Sequence, residues 1–115
     1  MDTDAITQTV RDYFESWYEA DPARMDRALH PNLVKRRGTA ELKITTKDRM
    51  VELTRQGEGE EDVGDGRLEI VVEDVYENIA SVTVRTSVYY EYVHLVRGDD
   101  GWRIANTLWQ LVMSG

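Results

Sequence analysis

The chain has no cysteine, and only two prolines and one phenylalanine in 115 residues. The missing thiols exclude a disulfide framework, a thiolate nucleophile, a zinc ribbon and a redox pair, and they allow a reducing compartment. Bases are also scarce: fourteen Lys and Arg against twenty-two Asp and Glu leave a formal charge of −8. That balance argues against nucleic acid or an anionic membrane as partner. No run of about 18 apolar residues occurs, and the opening MDTDAITQTV lacks the basic and apolar parts of a secretion signal. The expectation is a cytoplasmic protein with one domain over residues 1–115.

Ile6, Val10, Tyr13, Phe14, Trp17 and Tyr18 recur at helical spacing, which predicts an amphipathic first helix with an aromatic face. Asp2, Thr3 or Asp4 can cap its start. Asp21-Pro22 ends it and opens a second helix carrying Met25, Ala28 and Leu29, which His30-Pro31 closes. Leu33 to Arg37 reads as a short strand, and Thr45 or Thr46 opens a third helix with Met50, Val51 and Leu53 that stops at Gly57.

Residues 57–66, GEGEEDVGDG, hold four of the eight glycines and five acids without a base, the composition of a mobile surface loop. Strands follow: Leu68 to Tyr76, then Ile79 to Arg97 as two strands bent or turned near Thr86-Ser87, then Trp102 to Met113. Helices first and antiparallel strands afterwards predict an α+β fold with helices on one face of the sheet. In the last strand Trp102, Ile104 and Leu108 alternate with Ala105, Trp109 and Leu111, so both faces carry apolar groups. A sheet covered on one side only then needs a second cover, and a homodimer through the sheet is the expected one.

Tyr13-Phe14, Asp21 at the inter-helix corner, Leu29-His30-Pro31-Asn32, Ala80-x-Val82-x-Val84 and Gly101-Trp102-Arg103-Ile104 together resemble the NTF2-like (SnoaL-like) superfamily. Tyr90-Glu91-Tyr92-Val93-His94-Leu95, followed by the Trp102 strand, is most similar to its lumazine-binding branch. The resemblance implies a cone of three N-terminal helices packed on a curved, mostly antiparallel sheet, with a pocket between the first helix and the concave face. It implies no single reaction. The ketosteroid-isomerase-like members carry a catalytic acid on or near the first strand, where this chain has Lys35-Arg36-Arg37. The Arg-x-Asp pair of the epoxide-hydrolase-like members is also absent, since Arg85 is followed by Thr86-Ser87.

Strand alternation puts Lys35 and Arg37 on one face and Arg36 on the other, so an inward arginine such as Arg36 is a candidate for binding an anion. His30 and His94 are the near-neutral titrating groups and candidate proton carriers. His30 also suits a helix-end hydrogen bond. His94 shares parity with Tyr90 and Tyr92, so the three either line the pocket or form an interface. Tyr13 is the aromatic with a hydroxyl to offer a ligand, or to steady charge in catalysis, while Trp17 serves either core or pocket. Asn106 and Gln110 lie on an apolar strand face and bind a ligand or a neighbouring strand. Glu91 is either a raised-pKa acid or the partner of Arg85 or Arg103.

The acidic loop lacks calcium-loop spacing and the histidines lack metal-ligand spacing. No cofactor and no metal are expected. The leading expectation is a binder of a small, partly aromatic and anionic molecule. The alternatives are an isomerase, cyclase or hydrolase using His94 or His30 with Tyr13, and a dimerisation scaffold with a filled cone.

Overall fold

A computed structural model describes residues 2–113. Helix α1 (Asp2–Glu19) buries Ile6, Val10, Tyr13 and Phe14, the stripe its spacing predicts. Asp21 caps α2 (Pro22–Ala28) by accepting a hydrogen bond from the Arg24 amide at 3.1 Å. Arg24 then reaches back to Asp12 at 2.9 Å and Glu15 at 2.5 Å on α1, which holds the inter-helix corner. Helix α3 (Lys47–Arg55) starts from a Thr46 side-chain cap. Among the described residues no helix is long and apolar enough to cross a membrane.

Six strands form one sheet: β1 (Leu29–Arg37), β2 (Ile44–Thr46), β3 (Leu68–Tyr76), β4 (Ile79–Thr86), β5 (Tyr89–Gly98) and β6 (Gly101–Leu111). Their order is β2-β1-β6-β5-β4-β3, antiparallel except for the β1–β6 pair. The three helices precede most of the sheet and pack against it through Val82, Val84, Val93, Leu95 and Ile104, the expected α+β arrangement. The turn between β4 and β5 falls at Ser87-Val88, where the Thr86 hydroxyl accepts from the amides of Val88 and Tyr89.

Four features differ from the sequence reading. Helix α2 stops at Ala28 and β1 begins at Leu29, so His30 and Pro31 lie inside the strand. The proline is tolerated because β1 and β6 lose register between Leu29 and Val34. Strand β2 was not anticipated, since three residues carry no readable alternation.

In β6, His94 pairs with Asn106 but Leu95 pairs with Ile104, which leaves Ala105 as a bulge. Trp102 and Ile104 face the helices before it, and Thr107 and Trp109 do so after it. The two-faced apolar pattern is therefore largely one face read through a parity change.

The fourth difference is the acidic segment. Residues 57–66 contain a 3-10 turn, Glu60–Val63, and form a strap joined through Asp62 to Trp17 of α1 and Tyr89 of β5, two residues of the cone wall. Gly59 is buried against α1, where a Cβ would stand 2.3 Å from the Trp17 carbonyl oxygen. At the other end, Gly64 has φ +61°, and a Cβ there would meet the Ser87 hydroxyl at 2.0 Å. Glycine content here buys close approach rather than looseness. Gly59→Ala should therefore lift the strap from α1 and raise amide exchange across 57–66 while the sheet stays protected; unchanged protection of the strap contradicts this contact.

Candidate functional site

Three polar side chains from three elements meet on the cone floor. Tyr13 of α1 donates its hydroxyl hydrogen to Glu91 Oε2 on β5 at 2.7 Å. Lys35 of β1 donates in turn to the Tyr13 oxygen, and its Nζ lies 3.8 Å from Glu91 Oε2. The Tyr13 and Glu91 residues are 2% and 1% exposed and the Lys35 side chain 13%, so the row is closed to water at its acid end and narrowly open at its cation. The Lys35 ammonium also sits 5.0 Å from the Tyr13 ring centroid and 5.3 Å from that of Trp109. Phe14, Trp17, Met50 and Tyr89 complete the wall around a residual cavity of about 10 Å³.

Burial, and then the Glu91 carboxylate, push the Tyr13 phenol well above its usual range. Burial lowers the Lys35 ammonium, while Glu91 and Asp62 act the other way. Above the row, the strap's Asp62 accepts on one oxygen, Oδ2, from Trp17 Nε1 at 2.9 Å and from the Tyr89 hydroxyl. Burial and then Asp62 hold the Tyr89 phenol above its ordinary value, and burial raises Tyr18. The Thr107 and Tyr18 hydroxyls are buried without a hydrogen-bond partner among the described residues. Thr107 is the neighbour of Lys35 in the β1–β6 register. No cluster able to hold a metal ion occurs among the described residues.

Of the residues singled out from sequence, Tyr13, Trp17 and Glu91 reach the cone, while Arg36, His30, His94, Tyr90, Tyr92, Asn106 and Gln110 do not. Arg36 is exposed on the outer side of β1, and the inward cations are Lys35 and Arg37, the latter 5.1 Å from the Trp109 ring. Tyr90, Tyr92 and His94 alternate with the buried Glu91, Val93 and Leu95, so they face outward. Tyr90 accepts from Arg85 at 2.9 Å, and His94 Nδ1 lies 3.0 Å from Asn106 Oδ1 on the same outer face. Gln110 is exposed, and His30 Nδ1 accepts from the Asn32 amide at 3.0 Å. Proton transfer by His30 or His94 inside the cone thus has no geometric basis. Glu91 pairs with neither Arg85 nor Arg103, because its parity turns it inward toward Lys35.

Sequence reasoning missed Asp62, Tyr89 and the choice of Lys35. The signal for Glu91 was present: it shares alternation with Val93 and Leu95, an apolar series that marks the core face. Asp62 offered none, being one acid among five.

With this geometry in view, the comparisons identify the lineage. The family described as "Putative lumazine-binding" matches residues 1–110. The chain belongs to that family. Its fold is the NTF2-like cone, similar to an NTF-2 like protein of unknown function from Silicibacter pomeroyi (15% identity, 96% of this chain and 95% of that one, TM-score 0.72). An NTF2-like protein of unknown function in nutrient uptake from Rhodospirillum rubrum is also similar (16%, 94% and 98%, 0.69). A third is a ketosteroid isomerase-like protein from Erwinia carotovora atroseptica (14%, 96% of each, 0.63). No curated protein matches the chain.

Two outcomes follow from the row. Lys35→Met strands a buried carboxylate and should cost about 3–5 kcal/mol, whereas Lys35→Met with Glu91→Leu should return to within about 1 kcal/mol of the parent. Denaturant unfolding of the three proteins decides this, and additive losses would refute the pairing.

Tyr13, Tyr18 and Tyr89 keep their protons above the usual phenol range, so above about pH 10 the unfolded chain ionises first and stability falls with rising pH. Lys35, lowered on folding, adds stability as pH rises toward its unfolded value, one group against three. Alkaline titration of the phenolate absorbance should show part of the six tyrosines ionising only on unfolding. All six ionising together in the folded protein would contradict the buried row.

Proposed function

We propose that the cone binds a small planar heteroaromatic molecule, held on its polar edge by Lys35, Tyr13 and Glu91 and on its faces by the surrounding rings. The observation that carries this reading is the buried row itself. Three interacting polar groups sealed among Phe14, Trp17, Tyr89 and Trp109 contribute little to stability that apolar side chains would not, and such groups concentrate where recognition uses them. A cation, a hydroxyl and a carboxylate in line present donor and acceptor together, the complement of adjacent ring carbonyl and N–H groups. Lumazine, named in the family description, is a pteridine dione with that edge.

Binding requires the walls to part, since the residual space holds no ring. Titration with lumazine, followed by tryptophan quenching, should saturate, and Tyr13→Phe should weaken it about tenfold by removing one hydrogen bond in the site. Absence of saturable binding, or equal affinity of Tyr13→Phe, would refute this reading.

We also infer that a second copy of the chain covers the outer face of the sheet. Tyr92, Leu108 and Val71 stand 52%, 43% and 51% exposed there, an apolar area with tyrosine at its centre. Sedimentation should find a dimer that Tyr92→Glu with Leu108→Glu converts to monomer. A monomeric parent protein would refute it.

A further inference from the structure

The strap places a carboxylate where a ligand's carboxylate would go. Asp62 is the one strap side chain that hydrogen-bonds to the cone wall among the described residues. It does so through donors from two elements, the Trp17 indole of α1 and the Tyr89 hydroxyl of β5. Both converge on a single oxygen. They are neutral donors at the rim of a largely apolar cavity, an arrangement that suits an anion. Behind them stand the inward cations of β1: Lys35, 3.8 Å from Glu91, and Arg37 over Trp109.

The strap carrying Asp62 is held by close glycine contacts at Trp17 and Ser87 and by Asp65 N–H to the Ser87 hydroxyl at 3.1 Å. Its other acids, Glu58, Glu60 and Glu61, are exposed. Asp62 is the half-buried acid on a segment of five, which these donors account for and the segment's composition does not.

We propose that Trp17 Nε1 and Tyr89 OH form a carboxylate-binding subsite at the mouth of the cone, that Asp62 occupies it in the closed protein, and that a ligand carboxylate enters by displacing Asp62. This rests on the cone being a binding cavity and adds the chemical class of the ligand and the means of its admission: an aromatic or heteroaromatic carboxylate, ring inward. The strap competes with the ligand for the same two donors, so affinity reports a difference between two carboxylates rather than the strength of either.

The probe is benzoate, with neutral benzamide of the same shape as control, read on the Trp17 indole N–H resonance. Trp17→Phe assigns that resonance among the three tryptophans. In Asp62→Ala, benzoate should bind about tenfold tighter than in the unaltered protein and shift the Trp17 resonance back toward its parent position; benzamide should gain little. Equal benzoate affinity in both proteins, or an equal gain for benzamide, overturns the subsite.

Should Asp62→Ala not fold, the unaltered protein decides. Saturating benzoate should raise amide exchange across 57–66 about threefold without loosening the sheet, and unchanged exchange overturns the displacement. Failure of lumazine to bind, with benzoate behaving as stated, would refute only the heteroaromatic reading. Lumazine binding with Asp62→Ala indifferent to benzoate would refute only the subsite.

Discussion

The hydrogen-bonded row from Lys35 through Tyr13 to Glu91 sets what the rest of the molecule must do. It joins β1 to β5 across the intervening β6 and ties both to α1. A row spanning three strands needs a small side chain beneath its middle, and β6 supplies Thr107 beside Lys35. Thr107 faces inward only because the bulge at Ala105 has already exchanged the faces of that strand. Without the bulge Asn106 and Leu108 would fall inside, and the polar row would lose its space. A backbone irregularity thus serves the site and not the sheet, which would pair more regularly without it.

Burying such a row makes water exclusion costly to lose, and the strap addresses that cost. Its glycines allow backbone to lie directly on Trp17 and on the β4–β5 turn, closer than any Cβ permits. Asp62 then supplies the charge that the rim donors and Lys35 favour. The closed state is electrostatically self-complementary, with an acid from the strap over a cation from β1. That same complementarity makes the closure reversible by any anion able to reach the two donors.

The fold was legible because its signals are long-range and repetitive. The aromatic stripe of α1, the third helix and the strand alternation after residue 67 each extend over many residues, and the Asp21-Pro22 pair marks the corner between the first two helices. The site was legible in part. Tyr13 lies on the strongest helical stripe, so its burial followed from spacing, while Lys35 and Arg36 differ only by parity and a strand of five residues left the side open. Glu91 carried a readable parity, yet its residue type alone left a buried acid and a partner of Arg85 or Arg103 both open. The bulge left no mark in the residue pattern other than apolar groups on both faces, of which Trp102, Ile104 and Trp109 share the inner one. Asp62 was hidden for a further reason: composition predicts average behaviour of a segment, and the strap is ordered by contacts of single atoms to residues about 25 to 45 positions away.

The distribution of charge across the floor separates this chain from the ketosteroid-isomerase-like pattern it resembles in shape. There an acid at the first strand is placed to take a proton. Here the first strand contributes Lys35, and the acid stands across the cone on β5, already engaged by Tyr13. A carboxylate accepting from a buried phenol, with an ammonium 3.8 Å away, is engaged by partners that a substrate would have to displace before it could act as a base. The ammonium, by contrast, has one face toward the aromatic wall and feels the charge of Asp62. Exchanging acid for base on one strand, with the cone otherwise retained, leaves the floor with its cation on β1 and its acid across the cone on β5, joined through Tyr13.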